Sequence, residues 1–191
     1  MVKITELVFK NNLYYNSNKK DLYSGKVEGE IEGKVLKGEL EGEWIEYYEN
    51  GNLCSKINYK MNELSGSYET YYENGNLKEK GFVKDRKWDG QHLLFYDTGE
   101  IREKKFFTKG KIEGNFHFYY KSGQIKESRN YFKGKLHGEF LCFYKNGQLW
   151  IKNNYKNGKL EGQRLVYFEN GNIEKKENYK NGLNTSNSYH K

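Results

Sequence analysis

Residues 114–137, GNFHFYYKSGQIKESRNYFKGKLH, contain every element needed to read the fold. The run from Phe116 to Tyr120 is rich in aromatic residues and reads as a strand. Lys121, Ser122, Gly123 and Gln124 follow as a turn, with the glycine supplying the positive φ that a tight hairpin requires. A second strand runs from Ile125 to Phe132 and ends at a second turn, where Gly134 has the same use. Apolar residues do not recur with a helical period. Turn signals arrive about every 12 residues, which leaves room only for short strands.

The same layout returns at a step of 24 residues. Gly51, Gly75, Gly99, Gly123, Gly147 and Gly171 mark the first turn, usually after Asn, as in Asn50-Gly51 and Asn146-Gly147. A second column, Gly42, Gly66, Gly90, Gly114, Gly138 and Gly162, keeps the same step. A fixed period of this size marks an array whose units cannot bury a face alone, so function belongs on an extended repeated surface. The expected fold class is all-β: an elongated single-layer antiparallel β-meander, a repeat array of β-hairpins.

Pairing Tyr120 with Ile125 across the turn sets the expected register, since paired residues share a face. One face then carries Phe116, Phe118, Tyr120, Ile125 and Tyr131. Along the array Tyr48, Tyr72, Tyr96, Tyr120, Tyr144 and Phe168 join it as the main apolar stripe. Tyr131 falls opposite Gly114, as Tyr155 does Gly138 and Tyr179 does Gly162, and the glycine is read as a platform for the ring. The other face gathers Tyr47, Tyr71, Phe95, Tyr119, Phe143 and Tyr167, with Lys56, Lys80, Lys104, Lys152 and Lys176 beside them. Two readings of that face stand open. Its rings and lysine stems can simply shield a thin sheet, or they can form a recognition surface, where aromatic and cationic groups are enriched. On the second reading the candidate partner-binding residues are Tyr71, Phe95, Tyr119, Phe143, Tyr167, Lys104, Lys126, Lys133, Lys135 and Lys152.

Composition fits such an array. Mean hydropathy is −1.07 and 35% of residues are apolar, which is thin for a closed core. The 18 Tyr, 11 Phe and 3 Trp argue against disorder. Cys54 and Cys142 lie about seven strands apart, ~30 Å at roughly 4.8 Å per strand, too far for a bond within the chain. The segment MVKITELVFKNN has no sustained apolar core of a leader, and nothing approaches a membrane-spanning length. A soluble, cytoplasmic protein of a reducing compartment is therefore expected, or an exported one whose leader has been removed. His92, His117, His137 and His190 show no metal-ligand spacing, and no nucleophile, phosphate or dinucleotide motif occurs. Neither enzymatic activity, a cofactor nor a small-molecule substrate is expected.

Residues 1–41 are less regular and read as a cap containing a shortened repeat; 42–185 hold six repeats, and 186–191 form a polar tail. Departures from the pattern are Val83 for the second-strand Tyr, Trp88 and, in the last copy, Asn184 for Leu, and His92 and Arg164 for the first aromatic; they mark either drift or individuality of a binding surface. Residues 1–41 hold 7 basic and 7 acidic residues, so the whole +7 lies beyond them. The array is graded from acidic to basic, from 2 basic and 4 acidic residues in 42–65 to 5 and 1 in 114–137. Such a field can steer an acidic protein, attract nucleic acid or anionic lipid, or only keep the sheet soluble.

The pattern in GEWIEYYENGNL, 42–53, and NYKNGKLEG, 154–162, resembles the MORN-repeat variant of bacterial proteins. In length and repeat number the chain is similar to the YwqK-like antitoxins built from that variant. The resemblance implies a non-enzymatic protein-interaction module, an antitoxin or immunity protein that neutralises a partner toxin by surface binding. The alternative is a basic surface for anionic lipid or nucleic acid. Oligomeric state is not read from the sequence.

Overall fold

The computed structural model describes residues 2–186. The tail beyond Ser186, with His190, lies outside the described residues. Two compact units make up the chain, Met1–Gly99 and Glu100–Lys191.

In the first unit a 3-10 turn, Ile4–Glu6, leads into a hairpin of Val8–Lys10 and Leu13–Tyr15. A meander follows through Gly25–Val27, Ile31–Leu36, Glu39–Tyr47, Leu53–Lys60, Glu63–Tyr71 and Leu77–Lys84, each antiparallel to the next. Leu77–Lys84 then pairs with both Lys87–Trp88 and Gly90–Phe95. The second unit repeats this plan. Ile101–Thr108 pairs with Lys111–Ile112 and Gly114–Tyr119, and the meander continues through Ile125–Phe132, Lys135–Phe143 and Leu149–Lys156. It runs on through Gly162–Tyr167 and Ile173–Lys180 to the two-residue strand Leu183–Asn184. The all-β antiparallel reading therefore holds for both units.

The first turn differs from expectation by one residue. Phe116 faces Arg129 and Phe118 faces Glu127, but a bulge then sets Tyr119, not Tyr120, opposite Ile125. The Tyr120 carbonyl accepts from Gly123 N–H at 2.9 Å and the Tyr120 N–H donates to Gln124 at 2.9 Å, closing a five-residue turn with Gly123 at φ 81°. Ile125 is 39% exposed rather than part of a buried stripe. The same bulge recurs at Tyr47, Tyr71, Phe143 and Tyr167.

The glycine platform is also corrected. Gly114 does pair with Tyr131, but a Cβ built there meets nothing within 4 Å. Its φ of 71° is what requires glycine. Rings do lie over glycine at three other places, Tyr23 on Gly25, Trp44 on Gly33 and Trp88 on Gly81, all strand glycines with ordinary φ.

Within each unit, strand alternation and register place the buried hydrophobic side chains on one face, that unit's inner face, together with Ser55 and His92 in the first unit and Asn153 in the second. In the first unit the core cluster is Val27, Val35 and Trp44, with Ile4, Leu7, Tyr14 and Tyr23 of the amino-terminal segment packed on it, and Val83 is buried outside that cluster. In the second unit it is Phe116, Cys142 and Val166.

Candidate interaction surfaces

Neighbouring repeats within a unit are tied at one edge or at both. At the first-turn edge the second tyrosine of the pair donates its hydroxyl to the following repeat: Tyr48 to the Tyr71 carbonyl at 2.7 Å, Tyr72 to Phe95 at 2.9 Å, Tyr120 to Phe143 at 2.8 Å and Tyr144 to Tyr167 at 2.8 Å. Asn50 and Asn52 likewise both donate to the Glu73 carbonyl. At the other edge a carboxylate accepts from a turn N–H of the next repeat: Glu41 from Met61, Glu113 from Lys133 and Glu161 from Asn181. These tyrosines are thus staples, which is a different use from the stripe expected of them.

The inner face of the second unit carries charge among its rings. Lys105 pairs with Glu103 at 3.1 Å and lies 5.1 Å from the Phe116 ring. Arg129 pairs with Glu127 and stands over Phe116, Phe118 and Phe140 at 5.0 to 5.9 Å. Arg164 and Lys175 both hold Glu177, whose carboxyl is kept below its usual range by those two partners. A guanidinium can cover aromatic carbon because it is planar and weakly hydrated. Nearby, burial pushes the Cys142 thiol up to about 11. This ladder was not singled out from sequence, although acid and base two residues apart on one strand (Glu103 and Lys105, Glu127 and Arg129, Lys175 and Glu177) is a visible signal.

The outer face holds the candidate rings and most of the candidate lysines. In the first unit Tyr71 and Phe95 are half-buried, and the Tyr71 hydroxyl donates to Glu69 at 2.7 Å. Burial, then that bond, pushes the Tyr71 hydroxyl up to about 12. Lysines here are neutralised across strands: Lys80 by Glu69 at 2.7 Å and Lys56 by Glu43 at 3.6 Å. In the second unit Tyr119, Phe143 and Tyr167 are again half-buried, and burial raises the Tyr119 pKa. Lys152 meets Glu139 at 2.7 Å, whereas Lys104, Lys126, Lys133 and Lys135 form no salt bridge among the described residues. Lys104 instead faces His117, whose pKa is lowered by burial and then by that lysine. Lys126 stands at the bulge, 5.8 Å from the Tyr120 ring, and Lys133 in the second turn over Phe132 at 5.1 Å. Phe106 and Phe132 on this face and Trp150 at the next bulge are all more than 40% exposed.

Charge divides with the units. Met1–Gly99 has 14 Lys and Arg against 17 Asp and Glu, whereas Glu100–Lys191 has 19 against 9. No group of histidine, cysteine and carboxylates able to hold a metal ion occurs among the described residues, and no helix there is long and apolar enough to cross a membrane.

A family model described as MORN repeat variant matches residues 40–61, 64–85, 112–133, 136–157 and 160–181. Between the second and third matches, Gly90–Phe95 and Ile101–Thr108 keep the strand phase of the other copies. No curated protein matches the chain.

Proposed function

The chain belongs to the MORN repeat variant family, a non-catalytic repeat module that generally mediates interaction with proteins or membrane lipids, and on that premise we propose that it binds an acidic protein partner through the outer face of its second unit. The observation that carries this reading is the excess of ten positive charges in that unit, with Lys104, Lys126, Lys133 and Lys135 outside ion pairs and exposed Phe106, Phe132 and Trp150 near them. Rings give such a contact its affinity, and peripheral charge gives it speed. Tyr119, Phe143 and Tyr167 supply the rings between the cations. The finer form of the proposal makes the partner a toxin and this chain its antitoxin, as the resemblance to YwqK-like antitoxins implies.

The test is capture of the partner from the native host, followed by binding kinetics. Replacing Tyr119, Phe143 and Tyr167 by Ser should abolish binding while the melting transition survives, because the inner-face core is untouched. Reversing Lys126, Lys133 and Lys135 to Glu should mainly slow association. Normal binding by the ring variant would show that another face is used. Capture of RNA or anionic vesicles alone, with affinity falling steeply in salt, would replace the protein partner by the basic-surface alternative.

A further inference from the structure

Six Asn-Gly pairs lie in exposed turns: Asn50, Asn74, Asn146 and Asn170 in first turns, Asn157 and Asn181 in second turns. Asparagine before glycine is the pair most open to loss of its amide, because no side chain shields the following nitrogen. That nitrogen gives up its proton and bonds to Cγ; the Cγ–Nδ2 bond breaks, and ammonia leaves carrying the proton. Water then opens the five-membered imide at either carbonyl, leaving aspartate or isoaspartate. The rate depends on how freely the side chain can swing Cγ onto the nitrogen.

The four first turns are matched on the main-chain side. The glycine N–H donates to the carbonyl three residues back at 2.9 to 3.0 Å, and the glycine φ is 82° to 88°. The asparagine Oδ1 accepts from the N–H two residues on, again at 2.9 to 3.0 Å. They differ at the amide nitrogen. Asn50 Nδ2 donates to the Glu73 carbonyl at 3.1 Å and Asn74 Nδ2 to the Asp97 carbonyl at 2.7 Å, each in the next copy. Asn52 and Asn76 donate to the same two carbonyls at 2.7 and 2.8 Å and complete the clamp. For Asn146 and Asn170 only Oδ1 is engaged among the described residues. Gln148 stands where Asn52 and Asn76 do, and Asn172 has no carbonyl of a following copy to reach among the described residues.

We propose that Asn146 and Asn170 are sites of spontaneous covalent modification, converting to aspartate and isoaspartate, and that the tie to the next copy protects Asn50 and Asn74. The second-turn pairs are held in another way. There the attacking nitrogen itself is tied to the preceding copy, Gly158 to the Leu136 carbonyl at 2.7 Å and Gly182 to the Leu160 carbonyl at 2.8 Å. Modification therefore falls on first turns of the second unit alone. Each event adds a carboxylate to the unit with the basic excess of ten. Isoaspartate also adds a carbon to the main chain of the turn beside Tyr144, whose hydroxyl staples its copy to Tyr167 at 2.8 Å. The inference holds whichever partner the outer face takes.

The test ages the whole folded chain in mildly alkaline buffer and follows the asparaginyl, aspartyl and isoaspartyl forms of each turn by peptide mass spectrometry. Asn146 and Asn170 should convert at least about fivefold faster than Asn50 and Asn74, the factor that one hydrogen bond of ordinary net strength is worth. In concentrated urea the four should convert at like rates, which assigns the difference to the fold and not to neighbouring residues. Gln148→Asn rebuilds the side-chain pair of Asn50 and Asn52 and should slow Asn146 to the rate of Asn50. Asn52→Gln should quicken Asn50 while the melting transition is kept. Equal rates in the folded chain would overturn the proposal, as would the folded order of rates persisting in urea or an Asn146 rate unmoved by Gln148→Asn. Fastest conversion at Asn157 or Asn181 would overturn it too, since ties between copies would then not govern the reaction.

Discussion

The two units build the same hairpins and close their inner faces differently. In the first, Val27, Val35 and Trp44 are buried under a segment that is not part of the repeat, carrying Ile4, Leu7, Tyr14 and Tyr23. In the second, Phe116 is 5% exposed under side chains of the sheet itself, among them the stem and guanidinium of Arg129 and the ammonium arm of Lys105. A repeated sheet thus needs no second layer where its own side chains are long enough to lie across neighbouring strands and their charges are paired. The difference follows net charge: the first unit has an acidic excess of three and the second a basic excess of ten.

The largest effect expected of a single change is at Trp44. Trp44→Ala should cost about 3–5 kcal/mol, the usual loss for a large buried ring. Hydrogen exchange should quicken in Ile31–Leu36, Glu39–Tyr47 and Leu53–Lys60, and stay unchanged in Gly114–Tyr119 and Ile125–Phe132. Equal quickening in both sets would break the comparison, because the two cores would then melt as one. Next comes the ladder of the second unit. Arg129→Met keeps much of the covering stem but strands Glu127, whose side chain is 17% exposed, and should cost about 1–3 kcal/mol. Adding Glu127→Gln should recover most of that loss in urea unfolding. A single-variant loss near zero would mean that the pair sits in effectively bulk solvent and that the rings close this core unaided.

The smallest effect is on pH dependence, and it too separates the units. The folded state holds His117 below its ordinary value of 6.5, through burial and Lys104. As pH falls the unfolded chain binds the proton first, so this contribution to stability is complete above the ordinary imidazole range and is lost on descending through it. It levels off once pH is below the folded-state value. His117→Gln should flatten that slope in thermal melts between pH 7.5 and about 5. An unchanged slope would place the titrating group elsewhere.

How much was legible in the chain follows from how local each cause is. The period, the all-β class and both turns rest on glycines and Asn-Gly pairs whose effect is confined to a few residues. The register missed by one because a bulge is a property of two strands together: nothing within Ile125–Phe132 alone says that Lys126 will be left over opposite Tyr119. Gly114 was correctly marked as special but for the wrong cause, since a positive φ and a ring platform leave the same letter in the sequence. The inner-face ladder was passed over because Glu127 and Arg129 read as solvated in isolation; only their pairing and the three surrounding rings make burial tolerable. On the outer face the lysines beside the ring column looked alike, and cross-strand partners divide them: Glu69 and Glu43 quench Lys80 and Lys56, Glu139 quenches the candidate Lys152, and the candidate Lys104 finds His117.

The staples at the two edges bear on how such a chain can change its length. One set reaches forward by 23 residues, as from Tyr48 to Tyr71, and the other spans 20, as between Glu41 and Met61. Both are cut to one increment. Insertion of a single codon inside any copy would throw both edges out of step at once, leaving a hydroxyl facing no carbonyl on one side and a turn amide facing no carboxylate on the other. Whole modules meet no such obstacle where the added copy carries the tyrosine and the carboxylate, as at Tyr120 and Glu113. The array is therefore digital in length: recombination in units of 24 residues can lengthen or shorten it, and gradual slippage cannot.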